Sequence, residues 1–315
     1  MPRICGVFDA NVYRSLSEAR FQSLRDAERR VSARAIASRF TALELIAAAG
    51  SADPKRRNAS VAALKRLAEH VRRTDGRRTI FDFTVEPSRQ VGASLLGRRF
   101  PRDLEEETTL ARLVGAISED ALLVNSSVRE KVAKVAEAVS NHELRFARQI
   151  DEALHALSNQ LPSLATDDAE SRRRELRERL ASGERQRILA HSILSDADGA
   201  QGAEDSKIKE SDVSRAMDVF CLPIAIYERL VKAAVLEGAS ITKKKRANGL
   251  WDFLFSFSVS MGAELKGIPI VLITDDGAML ECAKEVGMKE RLMSLQSYLD
   301  LIESAETIAR VFHKS

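Results

Sequence analysis

The sequence has few cysteines and no clustered histidines that could bind a metal. Three cysteines (Cys5, Cys221 and Cys282) lie far apart in 315 residues, and no CxxC pair occurs. This spacing argues against a zinc ribbon and gives no disulfide framework, so we interpret the cysteines as small apolar residues. A protein with reduced thiols is expected, and therefore a cytoplasmic one.

The sequence also lacks segments that direct a chain into a membrane. No apolar run approaches the roughly 20 residues that a bilayer-spanning helix needs. The amino-terminal stretch MPRICGVFDANVY reaches its first aspartate too soon to contain the apolar region of a signal peptide. We therefore expect a soluble protein with no membrane partner.

Aromatic residues are scarce, at 5% of the chain. Alanine, leucine, arginine and glutamate are abundant instead, which favours helices over strands. The 44% hydrophobic fraction supports a sizeable core, in a chain long enough for one large domain or two ordinary ones. The net charge of +3 is too small by itself to predict nucleic-acid binding.

Apolar runs without polar alternation predict buried strands near both ends of the chain, at residues 4–8, 79–85 and 268–273. Helical periodicity dominates between them. Buried strands joined by helices imply an α/β fold with a parallel sheet covered on both faces. We expect residues 1–87 and 211–315 to build this core, and the mostly helical residues 88–210 to form an insertion or lobe.

Individual elements follow from apolar stripes and from cap residues. Residues 14–30 and 172–194 are interpreted as charged helices, and residues 195–206 as a small, polar linker. Thr41 is a possible N-cap for a helix over residues 41–49. The remaining expectations are a long helical stripe over 128–157, two helices in 211–236 separated near Pro223, a buried helix over 248–261 capped at Asn248, and an edge strand at 292–295.

Acidic residues follow two of the predicted strands directly. Asp9 ends the first strand, and Asp275 and Asp276 follow the strand at 268–273. In open parallel sheets the functional crevice lies beyond the carboxyl ends of strands. Acids gathered there would repel each other, which raises a pKa or requires a cation. Oxygen ligands without cysteine or histidine suit Mg²⁺ or Mn²⁺.

Four short motifs in this order resemble the PIN domain family. They are FDANVY at the amino terminus, the helical ALELIA, GLWDFLFSFSVS with an aspartate opening a buried helix, and ITDDGAM after a strand. The resemblance covers roughly residues 1–53 and 245–300. About two hundred residues separate the second motif from the third, several times the gap in small members of the family.

Carried over to this sequence, the resemblance implies four acids that bind metal and catalyse the reaction: Asp9, Glu44, Asp252 and Asp276. Asp275, which adjoins the T-x-D acid, is a further candidate metal ligand. Asn11 and Thr274 would orient the acids or hold a metal-bound water. The implied activity is that of an endoribonuclease, in which Mg²⁺ or Mn²⁺ activates water to hydrolyse a phosphodiester bond.

Basic residues are concentrated in two segments. Residues 55–78 contain nine Lys or Arg against two acids, and a second basic run occupies 243–246. Such runs are commonly solvated helix faces, but beside an acidic nuclease site they would attract a polyanion such as RNA. The candidates for nucleic-acid binding are Lys65, Arg66, Arg72, Arg73, Lys243, Lys244, Lys245 and Arg246.

Other interpretations stay open. A strand-ending Asp9 can simply start a turn, Glu44 can be paired with an arginine, and Asp252 can be a helix-start residue. The fold could be an inactive PIN scaffold that binds RNA or protein. The helical insertion could also bind a protein partner or a second copy of the chain. A haloacid-dehalogenase-like phosphatase also starts with a strand and an aspartate, but it needs a second aspartate where Asn11 stands.

Overall fold

The computed structural model of the protein describes residues 4–75, 78–81, 83–84, 87–98, 104–119, 125–160, 174, 178, 183–199, 208–236, 244–263 and 270–312. The chain divides into two compact units. The first comprises Met1–Pro87, Pro101–Val139 and Ser258–Ser315, and the second Ser88–Phe100 and Ser140–Phe257. The sequence-based boundaries assign residues 211–257 to the core, but these residues lie in the second unit. They assign residues 101–139 to the helical lobe. In the structure their buried apolar residues, among them Leu113 and Val132, belong to the core of the first unit.

The first unit contains a parallel sheet. Four strands, in the order β2 (Arg34–Ser38), β1 (Cys5–Phe8), β6 (Ile270–Ile273) and β7 (Leu292–Met293), are extended beyond β2 by the two-residue β5 (Phe83–Thr84). All neighbours are parallel, and Val7 pairs with Ile36 on one side and with Leu272 on the other. The α/β class with a parallel sheet is therefore confirmed.

The strand expected at residues 79–85 is divided between two sheets. Strand β4 (Arg78–Phe81) pairs antiparallel with β3 (Arg72–Asp75) in a separate hairpin, and only β5 joins the parallel sheet. Strand β2 was not expected, because its sequence RAIAS is short and has little β-branched character. It is a strand because β1 supplies its backbone partners. The edge strand expected near residue 292 is present as β7.

Helices make up most of the described chain. In chain order they are α1 (Ala10–Ser15), α2 (Glu18–Val31), α3 (Arg39–Ala49), α4 (Pro54–Val71), α5 (Pro87–Leu95), α6 (Leu104–Ser118), α7 (Ser126–Gln160), α8 (Glu184–Gly199), α9 (Glu210–Val219), α10 (Cys221–Leu236), α11 (Lys244–Ser256), α12 (Gly277–Glu285) and α13 (Leu295–Phe312). A 3₁₀ helix, Phe257–Ala263, follows α11. Within the described ranges, no helix has both the length and the apolar character needed to cross a bilayer.

Side-chain caps explain where the first four helices begin. Asp9, Ser17, Ser38 and Asp53 each accept a hydrogen bond from a backbone N–H in the first turn of the helix that follows. Helix α3 therefore begins behind Ser38, and the expectation that Thr41 caps it is wrong. The Thr41 hydroxyl instead donates to the Phe8 carbonyl at 3.0 Å and joins α3 to the end of β1.

Other helix boundaries differ from the sequence-based ones. The expected linker at 195–206 begins inside a helix, since α8 continues to Gly199, and residues 200–207 lie outside the described part. Helix α11 begins at Lys244 rather than at a cap on Asn248. The break between α9 and α10 falls at Phe220, and Pro223 lies in the first turn of α10, where its missing N–H costs nothing. The long helix over 128–157 is confirmed by α7.

Candidate functional site

The acids that follow β1 and β6 lie at the topological switch point of the sheet, where successive strands begin to be added on the other side of β1. The chain starts at β1 in the middle, adds β2 and β5 on one side, and then adds β6 and β7 on the other. Ligands of open parallel sheets bind beyond the carboxyl ends of strands at such a point. Here the Asp9 N–H donates to the Ile273 carbonyl at 2.9 Å, so the ends of β1 and β6 are held together.

Thr274 connects the two strand ends through its hydroxyl group. Its side chain is fully buried, and Oγ1 donates to Asp9 Oδ2 at 2.9 Å. The same oxygen accepts from Asn11 Nδ2 at 3.2 Å and from the Asp276 N–H at 3.1 Å. One donor and two lone pairs are all that a hydroxyl offers, so this group is saturated. Asn11 and Thr274 therefore make the contacts that an orienting role requires.

Asp9 is a buried acid, with 7% of its surface exposed. Its Oδ1 accepts from the Ala10 N–H at 2.6 Å, as the cap of α1. Burial, and then the nearby charge of Glu44, raise the pKa of Asp9 from 3.8 to about 7, against the lowering effects of Thr274, Ala10 and Arg14. Asp9 is therefore divided between its protonated and charged forms at neutral pH.

Glu44, on α3, is paired with an arginine. Its Oε1 lies 2.6 Å from Arg14 Nη1 on α1, and the two side chains are 20% and 28% exposed. This is the ion pair that the simpler interpretation of Glu44 anticipated. Because the charge of Glu44 also acts on Asp9, the two carboxylates and Arg14 form one electrostatic group. Two carboxylates face one cation in this group.

Asp276 and Asp275 both cap helices. Asp276 Oδ1 accepts from the Ala278 and Met279 N–H groups, at 2.8 and 3.0 Å, and so begins α12. Asp275 is exposed, and its Oδ1 accepts from the Leu295 N–H at 3.2 Å, at the start of α13. Helix capping therefore accounts for one oxygen of each acid.

Asp252 differs from its sequence-based interpretation. It is half-buried in the interior of α11, which begins at Lys244, so it does not open a helix as the resemblance implied. The reason is that helical residues extend amino-terminally of Asn248. Asp252 belongs to the second unit, whereas Asp9, Glu44 and Asp276 belong to the first.

The acids at the carboxyl ends of β1 and β6, together with Glu44, offer only oxygen donors to a metal ion. Asp9 and Glu44 are electrostatically coupled, and Asp276 is joined to Asp9 through Thr274. Across the residues that the structure covers, no group of three or more His, Cys, Asp or Glu side chains is arranged to hold a metal ion. The donors suit Mg²⁺ or Mn²⁺ in kind, but Glu44 would have to exchange Arg14 for the ion.

The basic candidates are distributed unevenly. Arg66 is only 17% exposed, its Nη1 donates to the Tyr13 carbonyl at 3.1 Å, and its Nε lies 3.8 Å from Glu18, so it holds α4 against α1. Lys65 is half-buried and Arg72 is exposed. The structure describes only the backbone of Arg73, Lys244, Lys245 and Arg246, and Lys243 lies outside the described residues.

Sequence reasoning missed two features of the first unit. Arg14 gave no signal beyond its spacing from Asp9, and its partner Glu44 is thirty residues away. The buried pair of Glu28 and His70, with Nε2 and Oε2 2.5 Å apart, joins two helices that carry no shared motif.

The function of the chain has to be inferred from this geometry, because fold alone does not fix function. Comparisons with protein-family models, with curated proteins and with solved structures find no match to this chain.

Proposed function

We propose that the chain is a metal-dependent nuclease that hydrolyses phosphodiester bonds, in RNA, at the carboxyl edge of its parallel sheet. In this proposal Asp9, Glu44 and Asp276 hold Mg²⁺ or Mn²⁺. One observation carries it: adjacent strands β1 and β6 both end in acids at the point where the sheet changes direction, and Glu44 lies close enough to Asp9 to act on its charge.

The charge balance supports a cation at this edge. Arg14 supplies one positive charge for the carboxylates of Asp9 and Glu44, but burial and then the charge of Glu44 still raise the pKa of Asp9 to about 7. A divalent cation would hold both carboxylates ionised, because it adds the positive charge that Arg14 alone does not supply. Carboxylate oxygens are the ligands that Mg²⁺ and Mn²⁺ prefer.

The residues of the chain then have distinct tasks. Asp9 loses its proton and binds the ion, while Thr274 and Asn11 keep the Asp9 carboxylate and the Asp276 backbone in place. When bound, Mg²⁺ or Mn²⁺ supplies a water of lowered pKa and stabilises negative charge on the phosphate. Asp252 is the fourth acid that the resemblance to PIN domains implies.

Basic residues on α4 support a polyanionic substrate. Helix α4 packs against α1, the helix that Asp9 caps, and Arg66 on α4 contacts the Tyr13 carbonyl of α1. Lys65 adds positive charge to the same helix. Such charges attract a phosphate backbone to a site that is itself acidic. The choice of RNA over DNA follows from the resemblance.

The test is cleavage of labelled single-stranded RNA and DNA in Mn²⁺ or in EDTA. Wild type should cut RNA only with metal, and Asp9→Asn and Asp276→Asn should be at least about a hundredfold slower, since they remove proposed metal ligands. Asp252→Asn is assayed beside them. Asp218→Asn, an exposed acid on α9, is the matched control and should retain activity. Equal cutting by wild type and Asp9→Asn would reject this site.

A scaffold without catalytic activity is the second candidate. The Arg14–Glu44 pair and the cap formed by Asp276 give these acids structural roles, and the described residues contain no group of three metal-binding side chains. Calorimetric titration with Mn²⁺ separates the two functions. The nuclease proposal expects the affinity for Mn²⁺ to increase about tenfold for each unit that the pH rises towards 7, because Asp9 must lose its proton to bind the ion. Absence of Asp9-dependent binding would favour the scaffold.

Phosphate release from small monoesters would indicate a phosphatase instead.

A further inference from the structure

A cavity of about 260 Å³ lies in the first unit beside the amino-terminal ends of the parallel strands, which we call the amino edge of the sheet. Its walls come from the end of α2, the start of β2 and the end of α4 with Arg72. Arg34 in this wall pairs with Cys5 in the parallel ladder, and Asp9 lies four residues beyond Cys5. Four residues of strand span about 13 Å. The cavity is therefore separate from the acids at the carboxyl edge, and it does not depend on the nuclease proposal.

Arginines dominate the wall of this cavity, which we call the arginine cavity. They are Arg25, Arg29, Arg34 and Arg72. Two acids, Glu28 and Glu69, also line it. Asp26 pairs with Arg29 at 3.1 Å from outside the wall, so four arginines stand against three acids. An excess of positive charge around a concave space favours an anion.

Both acids of the wall are directed at protein partners. Glu28 is 4% exposed, and its Oε1 accepts from the Tyr298 hydroxyl at 2.9 Å. Its other oxygen, Oε2, is hydrogen-bonded to His70 Nε2 at 2.5 Å. Glu69 is paired with Arg25 and also accepts from Gln22. Both carboxylates are therefore held in place by protein partners, and their charges are already included in the balance above.

Two residues that line the arginine cavity, Glu28 and His70, are held by further hydrogen bonds to buried tyrosines. The Tyr13 hydroxyl is hydrogen-bonded to His70 Nδ1 at 3.0 Å, so Tyr13, His70, Glu28 and Tyr298 form one chain of hydrogen bonds. The tyrosines are fully buried, and 2% of the His70 side chain is exposed. Wall residues whose polar groups are already hydrogen-bonded do not need to reorganise when a ligand binds.

We propose that the arginine cavity binds the phosphate group of a small phosphate monoester. Such a group carries about −1.5 to −2 charges at pH 7, which the arginines of the wall would offset. Guanidinium groups present planar pairs of N–H donors that fit phosphate oxygens. The volume lies just below the roughly 300 Å³ at which pockets for drug-sized ligands begin, so the ligand is small.

Calorimetric titration of the full chain in EDTA tests this proposal, because EDTA removes any metal from the carboxyl edge. The probes are inorganic phosphate, adenosine 5′-monophosphate, and adenosine as the uncharged control. Arg29→Ala and Arg72→Ala each remove one charge from the wall at an exposed side chain, so folding should be retained. Arg20→Ala removes the same charge from an exposed position of α2 outside the cavity.

We expect both phosphate probes to bind wild type and Arg20→Ala alike, and adenosine not to bind. Arg29→Ala and Arg72→Ala should bind about five- to tenfold more weakly, since each removes charge-assisted hydrogen bonds at a partly solvated position. Equal weakening by Arg20→Ala would mean general charge attraction and would reject the site. No binding of either phosphate probe at millimolar concentration would also reject it. If a 5′-phosphorylated RNA oligonucleotide binds much more tightly than both phosphate probes, the ligand is the phosphorylated end of a nucleic acid, and the proposal of a small phosphate monoester is rejected.

Discussion

Substituting asparagine for Asp9 removes a carboxyl group whose ionisation opposes folding. Burial and the charge of Glu44 raise the pKa of Asp9 from 3.8 to about 7. Between these pH values the unfolded chain loses the proton while the folded chain keeps it, so the free energy of unfolding falls as pH rises. The loss reaches about 4 kcal/mol above pH 7, at about 1.4 kcal/mol per unit of pKa difference. Below about pH 4 the loss disappears, because Asp9 is neutral in both states.

Asparagine is neutral at every pH, but it disturbs one hydrogen bond. Its Oδ1 can still accept from the Ala10 N–H, whereas its Nδ2 would have to donate to Thr274 Oγ1. Both lone pairs of that oxygen already accept, from Asn11 and Asp276, so the mismatch costs about 1 kcal/mol. We therefore expect Asp9→Asn to be about as stable as wild type near pH 5, and about 3 kcal/mol more stable at pH 8.

Urea unfolding followed by circular dichroism, in EDTA at pH 5 and pH 8, measures this difference. Asp218→Asn is the control, because it makes the same chemical change at an exposed position and should follow wild type at both pH values. A difference between Asp9→Asn and wild type that stays constant from pH 5 to pH 8 would refute the reasoning. Added Mn²⁺ at pH 8 should stabilise wild type and leave Asp9→Asn unchanged if the metal proposal holds.

Three further substitutions test the surroundings of the strand ends and the core. Thr274→Val removes the hydroxyl that lowers the pKa of Asp9, so carbon-detected NMR titration should show a still higher pKa for Asp9. The free energy of unfolding should fall by about 1–3 kcal/mol. An unchanged pKa would contradict the hydrogen bond. Tyr298→Phe leaves Glu28 Oε1 without this donor and should cost about 1–3 kcal/mol in urea unfolding. An unchanged free energy of unfolding would contradict a stabilising role for this hydrogen bond. Gly6→Ala brings a Cβ within 2.8 Å of a neighbouring aromatic ring carbon and should lower stability by about 1–3 kcal/mol, whereas unaltered unfolding would mean that the core yields.

The sequence predicted the parts of the site that local patterns encode. Strands β1 and β6 are uninterrupted apolar runs, and the acids that follow them lie within three residues of those runs. Parallel pairing then follows from the helices between them. This reasoning correctly expected Asp9 and Asp276 at neighbouring strand ends, and it named Asn11 and Thr274, which the structure joins by a hydrogen bond.

The sequence was less informative where a residue has two compatible local roles. Asn248 is a good cap and predicts that Asp252 lies near a helix start, but the residues before Asn248 continue the helix. Thr41 is also a good cap by residue type, but the cap of α3 is Ser38. A short polar side chain can cap a helix or bond inside it, and the choice depends on which backbone groups the surrounding fold leaves open.

The sequence alone thus determined the buried strands, the acids that follow them and the apolar stripes of the helices, because these depend on neighbours within a few residues. Only the tertiary structure decided that RAIAS is a strand, that Arg14 pairs with Glu44, and that Arg34 and Arg72 line one cavity. Those pairings join residues distant in the chain. The pKa of Asp9 likewise depends on burial and on the charge of a separate helix, and neither exists until the chain has folded.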